Sequence, residues 1–278
     1  MNDSIIQKYR HTGLFYVLST IIPWAFWFAA AYVSYHFTPE NRAANIATAL
    51  GLAGLVAPVV IAFWLISRDG KLQKDAFGRF FNLKANKLSY YALACLLMLA
   101  SILLAQAVSL LFGYSASQFV ITGHFTFTSG VFPVWFLLIL APVLEELAWH
   151  TYGTDSLRSR MNLFAASLLF GIYWAIWHFP LAFIKDYYHA NVVNEGWLYS
   201  LNFVVSLIPF VILMNWLYYK TNRNILVAAV FHITAGYFNE IFATHPDSKC
   251  IQTVILLIIS AVVVIKEREL FFRKELND

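Results

Sequence analysis

Charge is scarce in this chain: Asp, Glu, Lys and Arg make up 12% of 278 residues, about half the usual share of a soluble domain. Cysteine is nearly absent. Cys95 and Cys250 are the two present, which excludes a disulfide scaffold, a thiolate metal cluster and, by their setting, a cysteine nucleophile. No G-x-S-x-G or Ser/Lys pattern points to a serine nucleophile. Internal repeats, low-complexity tracts and linkers are also lacking, so one polytopic unit over 1–278 is expected, not a string of domains.

What fills the chain is apolar: 60% of residues are hydrophobic and mean hydropathy is +0.64. A spanning helix needs about 20 mainly apolar residues. Eight runs qualify or nearly so, at 14–37, 44–67, 89–113, 131–152, 162–182, 198–219, 224–243 and 251–265. They predict an all-α integral membrane protein of about eight transmembrane helices. The first run is read as an uncleaved span, because its apolar stretch exceeds a signal-peptide core despite Ala29, Ala30 and Ala31 downstream.

Lys and Arg collect in alternate loops. Sixteen, including Lys8, Arg79, Arg158, Arg223 and Arg268, fall on the side of both termini, against Arg42, Lys185 and Lys249 on the other. Positively charged loops stay cytoplasmic, so the N-terminus and C-terminus are both expected there. The net charge of +4 then reflects topology and contact with the lipid bilayer, and gives no reason to invoke nucleic acid. The segment 68–88, basic with Phe77, Phe80 and Phe81 interleaved, suits an interfacial helix or a plain topology anchor.

Against this background a few polar residues are expensive, because an ionisable group at bilayer depth costs about 2.5–3.5 kcal/mol or more. Glu145, Glu146 and Glu240 are the acidic residues within the runs, and His178 and His232 the histidines well inside them; His189 is assigned to a loop. In "APVLEELAWH", Glu146 and His150 are one helical turn apart, with Glu145 about 100° around the helix. Trp174 and His178 repeat that spacing in the fifth run. His232, Gly236 and Asn239 form a stripe in the seventh, beside Glu240. Three stripes of this kind gain most by facing one another across water. A buried carboxylate with histidines fits water activation and hydrolysis. The residues leave two other classes open: a proton-coupled transporter, and a scaffold in which Glu145 and Glu146 pair with Arg158 or Arg160 at the interface.

At these residues the chain resembles the CPBP (Abi) family of intramembrane proteases, which includes the CAAX prenyl proteases. Its motifs Glu-Glu-x-x-x-Arg, Phe-x-x-x-His and His-x-x-x-Asn align with Glu145–His150, Trp174–His178 and His232–Gly236, within a core of about 135–240. The resemblance implies a catalytic cavity open to the cytoplasm and built by the fourth, fifth and seventh spans. It also implies a peptide or protein substrate, and residence in a bacterial plasma membrane. Glu145 would activate water, helped by Glu146, with His178 and His232 orienting water or holding an oxyanion. Peptide maturation or bacteriocin immunity fits bacterial members. Zinc is unsettled for the family; Glu145, His178 and His232 are residue types that could hold it.

Three departures stand out: His150 replaces the motif Arg, Trp174 replaces Phe, and Gly236 replaces Asn, for which Asn239 is the nearest substitute. One tension remains. Straight helices drawn on the predicted boundaries would place Glu145 and His178 roughly 15 Å apart in depth.

Overall fold

The computed structural model describes residues 3–80 and 88–273. Long apolar runs become helices because hydrocarbon offers no partner to a bare N–H or C=O, and a helix satisfies its own backbone. In chain order the main helices are α1 (Thr12–His36), α2 (Glu40–Ile66), α3 (Gly70–Phe80), α4 (Leu88–Ser109) and α5 (Val134–Ala148). After them come α6 (Leu163–Trp177), α7 (Tyr188–Glu195), α8 (Trp197–Lys220), α9 (Ile225–Ile241) and α10 (Pro246–Lys266). Among the described residues there is no sheet, only an isolated antiparallel bridge between Ile121 and Phe242. Asn162 and Asn224 start α6 and α9, each side chain accepting a first-turn N–H, from Ala165 (2.8 Å) and Val227 (3.3 Å).

Among the described residues seven helices are long and apolar enough to cross a membrane, so the protein is an all-α, multi-pass integral membrane protein. The run expected at 224–243 is the exception. Its helix α9 has 17 residues, about 25 Å of rise against a hydrocarbon core of about 30 Å. Outward-facing Ile21, Val60, Ile176 and Ile258 are more than half exposed, as lipid-facing side chains would be.

Helix α5 is flanked by α2 and α9; α4 packs on α9 and α10, and α8 packs on α6 and α10. Two boundaries differ from the sequence expectation in ways that matter. The α5 span does not stop at 152: after a π-turn at Trp149–Gly153, helix continues to Arg158. The segment expected as a surface anchor is instead partly internal, since Arg79 of α3 is only 4% exposed. Phe77 keeps its exposed position and Phe80 stacks on Phe63 at 6.2 Å. Phe81, Lys84, Lys87 and Lys274 lie outside the described residues.

Arg79 belongs to a buried charge network at the end of the bundle that holds both termini. Its guanidinium lies 3.0 Å from Asp75 and 3.2 Å from Asp155, while Arg223 pairs with both carboxylates, 2.9 Å from Asp75. Arg79 also donates to the carbonyls of His150 (2.8 Å) and Thr151 (3.1 Å) in the π-turn, where the wider helical register frees carbonyls from their usual partners. Thr12 donates to the Ser156 carbonyl (3.0 Å) and Arg158 to the Arg273 carbonyl (3.0 Å), which fixes the start and end of the chain at this same end.

Candidate active site

Glu145 and Glu146 are adjacent on α5 but have separate surroundings. Glu146 is fully buried, and both its oxygens are engaged: Oε1 accepts from His232 Nδ1 (2.7 Å) and Oε2 from His150 Nδ1. Glu145 Oε2 accepts from the indoles of Trp174 (2.8 Å) and Trp149 (3.4 Å). The indole that replaces the motif phenylalanine thus finds its hydrogen-bond partner in the first glutamate. Arg158 and Arg160 do not pair with either glutamate; Arg160 donates to Thr12 (2.9 Å) and to the Arg10 carbonyl (2.8 Å).

His178 caps α6 and donates from Nδ1 to the Trp174 carbonyl at 2.6 Å. A carbonyl can only accept, so Nδ1 carries the hydrogen, and in the neutral ring Nε2 keeps its lone pair. Trp174 therefore ties Glu145, through its indole, to His178, through its carbonyl. The depth difference expected from the sequence disappears because the α5 span runs on to Arg158. Counted from the terminal end of the bundle, Glu145 lies 13 residues above Arg158 and His178 lies 15 above Leu163, about 20 and 22 Å of rise.

His150, at the position of the motif arginine, bridges Glu146 and α8: its Nε2 sits 3.0 Å from Asn215 Oδ1, and Asn215 Nδ2 donates to Ser167 (2.9 Å). Asn215 lies in an apolar run and has no spacing signal toward His150, so sequence reasoning did not find it. Gly236 faces open space, where an added Cβ would meet only Leu138 Cδ2 at 3.8 Å. Asn239 donates instead to Tyr188 Oη (3.0 Å), and Glu240 Oε2 accepts from the Thr126 N–H (3.0 Å) and hydroxyl (2.8 Å).

Two cavities meet at these residues. The first, about 340 Å³, has Trp27, Leu52, Leu55, Leu181 and Ile184 on its walls; the second, about 360 Å³, carries His232, Asn239, Glu195, Glu240 and Lys249. Glu145, His178 and His189 line both, whereas Glu146 lines neither. His189, assigned to a loop by sequence, stacks on His178 with ring centroids 4.9 Å apart. It sits on α7, too short and mixed to announce itself between two spans. Burial, reinforced by the neighbouring His178 ring, holds the His189 imidazole well below the usual histidine range.

Glu40, Thr126, Thr128, Lys185 and Asn191, each lining one cavity or the other, belong to loops, the first turn of α2 and helix α7 at the end opposite the termini. The two expectations of cytoplasmic termini and a cavity open to the cytoplasm therefore cannot both hold. Adjacent spans alternate in direction, so the loops that form the rim lie across the membrane from the chain ends. Among the described residues no three His, Cys, Asp or Glu side chains converge as a metal-binding group. The set Glu145, His178 and His232 is not gathered for zinc in this arrangement.

An all-helical membrane bundle with a carboxylate and histidines at the junction of two cavities is the arrangement expected of a membrane hydrolase. The comparisons place the chain within that class: residues 126–238 match the family described as type II CAAX prenyl endopeptidase, Rce1-like. The chain is 39% identical over 273 residues to CAAX prenyl protease 2 of Methanococcus maripaludis, covering 97% of this chain and 99% of that relative. It belongs to the CAAX prenyl endopeptidase family.

Proposed function

We propose that the protein hydrolyses a peptide bond in a lipid-modified or otherwise strongly apolar peptide substrate, with Glu145 as the general base and water as the nucleophile. The observation that carries this reading is the division between the two glutamates: Glu145 opens onto both cavities, while both oxygens of Glu146 are engaged behind them. A base must reach the water it deprotonates. Glu146 is then a positioning residue.

In the reaction the water oxygen bonds to the scissile carbonyl carbon as its proton passes to Glu145. His178 orients the water through Nε2, since its Nδ1–H is held by the Trp174 carbonyl. The ion pair with Glu146 lets His232 carry a proton on Nε2 as well, and that N–H faces the developing oxyanion, a contact worth about 3–4 kcal/mol in comparable sites. Collapse of the tetrahedral intermediate breaks the C–N bond, and Glu145 returns its proton to the leaving amine. Both cavities mix apolar and polar walls, and together they offer room for a lipid group and for the peptide that carries it. No step here requires a metal.

The test is cleavage of a lipidated peptide by purified protein in liposomes, with Glu145→Gln, His178→Ala, His232→Ala and Glu146→Gln beside the wild type, with and without chelator. Loss of at least 100-fold in kcat is expected for Glu145→Gln and His232→Ala. Full activity of Glu145→Gln would refute the assignment, and loss of activity on chelation would return the metal to the mechanism.

A further inference from the structure

Other cations of this bundle are paired: buried Arg79 and Arg223 with Asp75 and Asp155, and partly exposed Lys220 with Glu267 at 2.9 Å. Lys249 differs. It lies in the first turns of α10 and lines the second cavity, the one that also holds Glu145, His178 and His232. Among the described residues its ammonium forms no ion pair and no hydrogen bond, although Glu195 and Glu240 are close enough to act on it electrostatically. Glu240 holds Thr126 through Oε2 and forms no ion pair with Lys249, although its Oε1 is buried without a hydrogen-bond partner. Among the described residues Lys249 is also the only Lys or Arg side chain on the wall of that cavity. An unpaired ammonium in a partly apolar cavity is costly to keep, and an anion seated there relieves that cost.

The geometry points to Lys249 as the receptor for the α-carboxylate of the peptide substrate's C-terminus. The inference rests on the hydrolytic reading above. Peptides of the CAAX type end a few residues beyond the modified cysteine, so the bond to be cut and the terminal carboxylate must fit in one cavity. Here Glu145 and Lys249 share that cavity. A cation at one end and the base at the other would select substrates by distance from the chain terminus, the property that separates trimming of a C-terminus from cleavage within a chain.

The experiment uses full-length protein in micelles free of anionic lipid, so that no lipid headgroup competes. Binding of one peptide, with a free C-terminal carboxylate or as its carboxamide, is measured to Glu145→Gln protein, which holds substrate without turning it over. Preference for the carboxylate of at least tenfold is expected, falling toward onefold in Glu145→Gln/Lys249→Gln and retained in Glu145→Gln/Lys249→Arg. Equal binding of the two peptides, or a preference that survives Lys249→Gln, would overturn the inference. Wild-type protein that shows the preference but cleaves neither peptide would leave Lys249 in place and refute the hydrolytic reading instead.

Discussion

Removing the Arg79 side chain tests whether the segment between α2 and α4 is an anchor on the surface or part of the frame of the site. Arg79, Arg223, Asp75 and Asp155 balance in charge, and Asp155 is fully buried. Arg79→Met leaves a net negative charge there and removes a donor from two π-turn carbonyls, that of Thr151 and that of His150, which keeps only the Tyr218 hydroxyl among its side-chain donors. Breaking a buried ion pair from one side costs about 3–5 kcal/mol. Most of the effect is expected here because the Tyr9 hydroxyl, held by Arg79 at 2.7 Å, also loses a partner. Arg79→Lys keeps the charge but not the fork, so an intermediate loss of about 1–3 kcal/mol is expected. Adding Asp155→Asn to Arg79→Met restores neutrality and should recover about 1–2 kcal/mol as a coupling energy. Equilibrium unfolding in mixed SDS–detergent micelles reads wild type, Arg79→Met, Arg79→Lys, Asp155→Asn and the double variant. A loss under about 1 kcal/mol for Arg79→Met, or additive effects in the double variant, would refute the account of the network.

Gly236→Asn places an amide in the cavity beside His232, where a Cβ has only Leu138 nearby. Stability is expected within about 1 kcal/mol of wild type and kcat raised severalfold, read by peptide cleavage; a fall in kcat would mean the space is needed by substrate. His189 resists protonation in the folded chain, because burial and then His178 hold its pKa down. The unfolded ring protonates near 6.5, so the unfolded state binds more protons below that pH and stability falls as pH drops from about 6.5 to 5. His189→Phe should make this slope shallower, and unchanged unfolding curves across that range would dismiss the residue as a contributor. The bias of Lys and Arg, thirteen described residues at the terminal end against three at the cavity rim, predicts cytoplasmic termini and a cavity mouth on the opposite face. A membrane-impermeant thiol reagent applied to intact cells should label Lys185→Cys and spare Arg268→Cys in a chain cleared of Cys95 and Cys250; the reverse pattern would place the mouth in the cytoplasm.

The amino-acid sequence by itself determined that this chain lives in a membrane, because so little charge and so much apolar length leave no other way to fold. It also determined which polar residues are expensive, and, through the turn of a helix, that Glu146 lies over His150 and Trp174 over His178. Pairings within one helix are legible because they depend on spacing alone. What tertiary structure decided lies between helices. The rotation of α5 gave Glu145 to the cavities and Glu146 to His150 and His232. The continuation of the α5 span to Arg158 made Glu145 level with His178. Asn215 became the partner of His150, and His189 came to stack on His178. Arg79 turned inward to a network the charge pattern had counted as surface. Hydropathy cannot carry such information: in a bundle where nearly every side chain is apolar, the facing of a helix is set by packing and by the few hydrogen bonds that tie it to its neighbours.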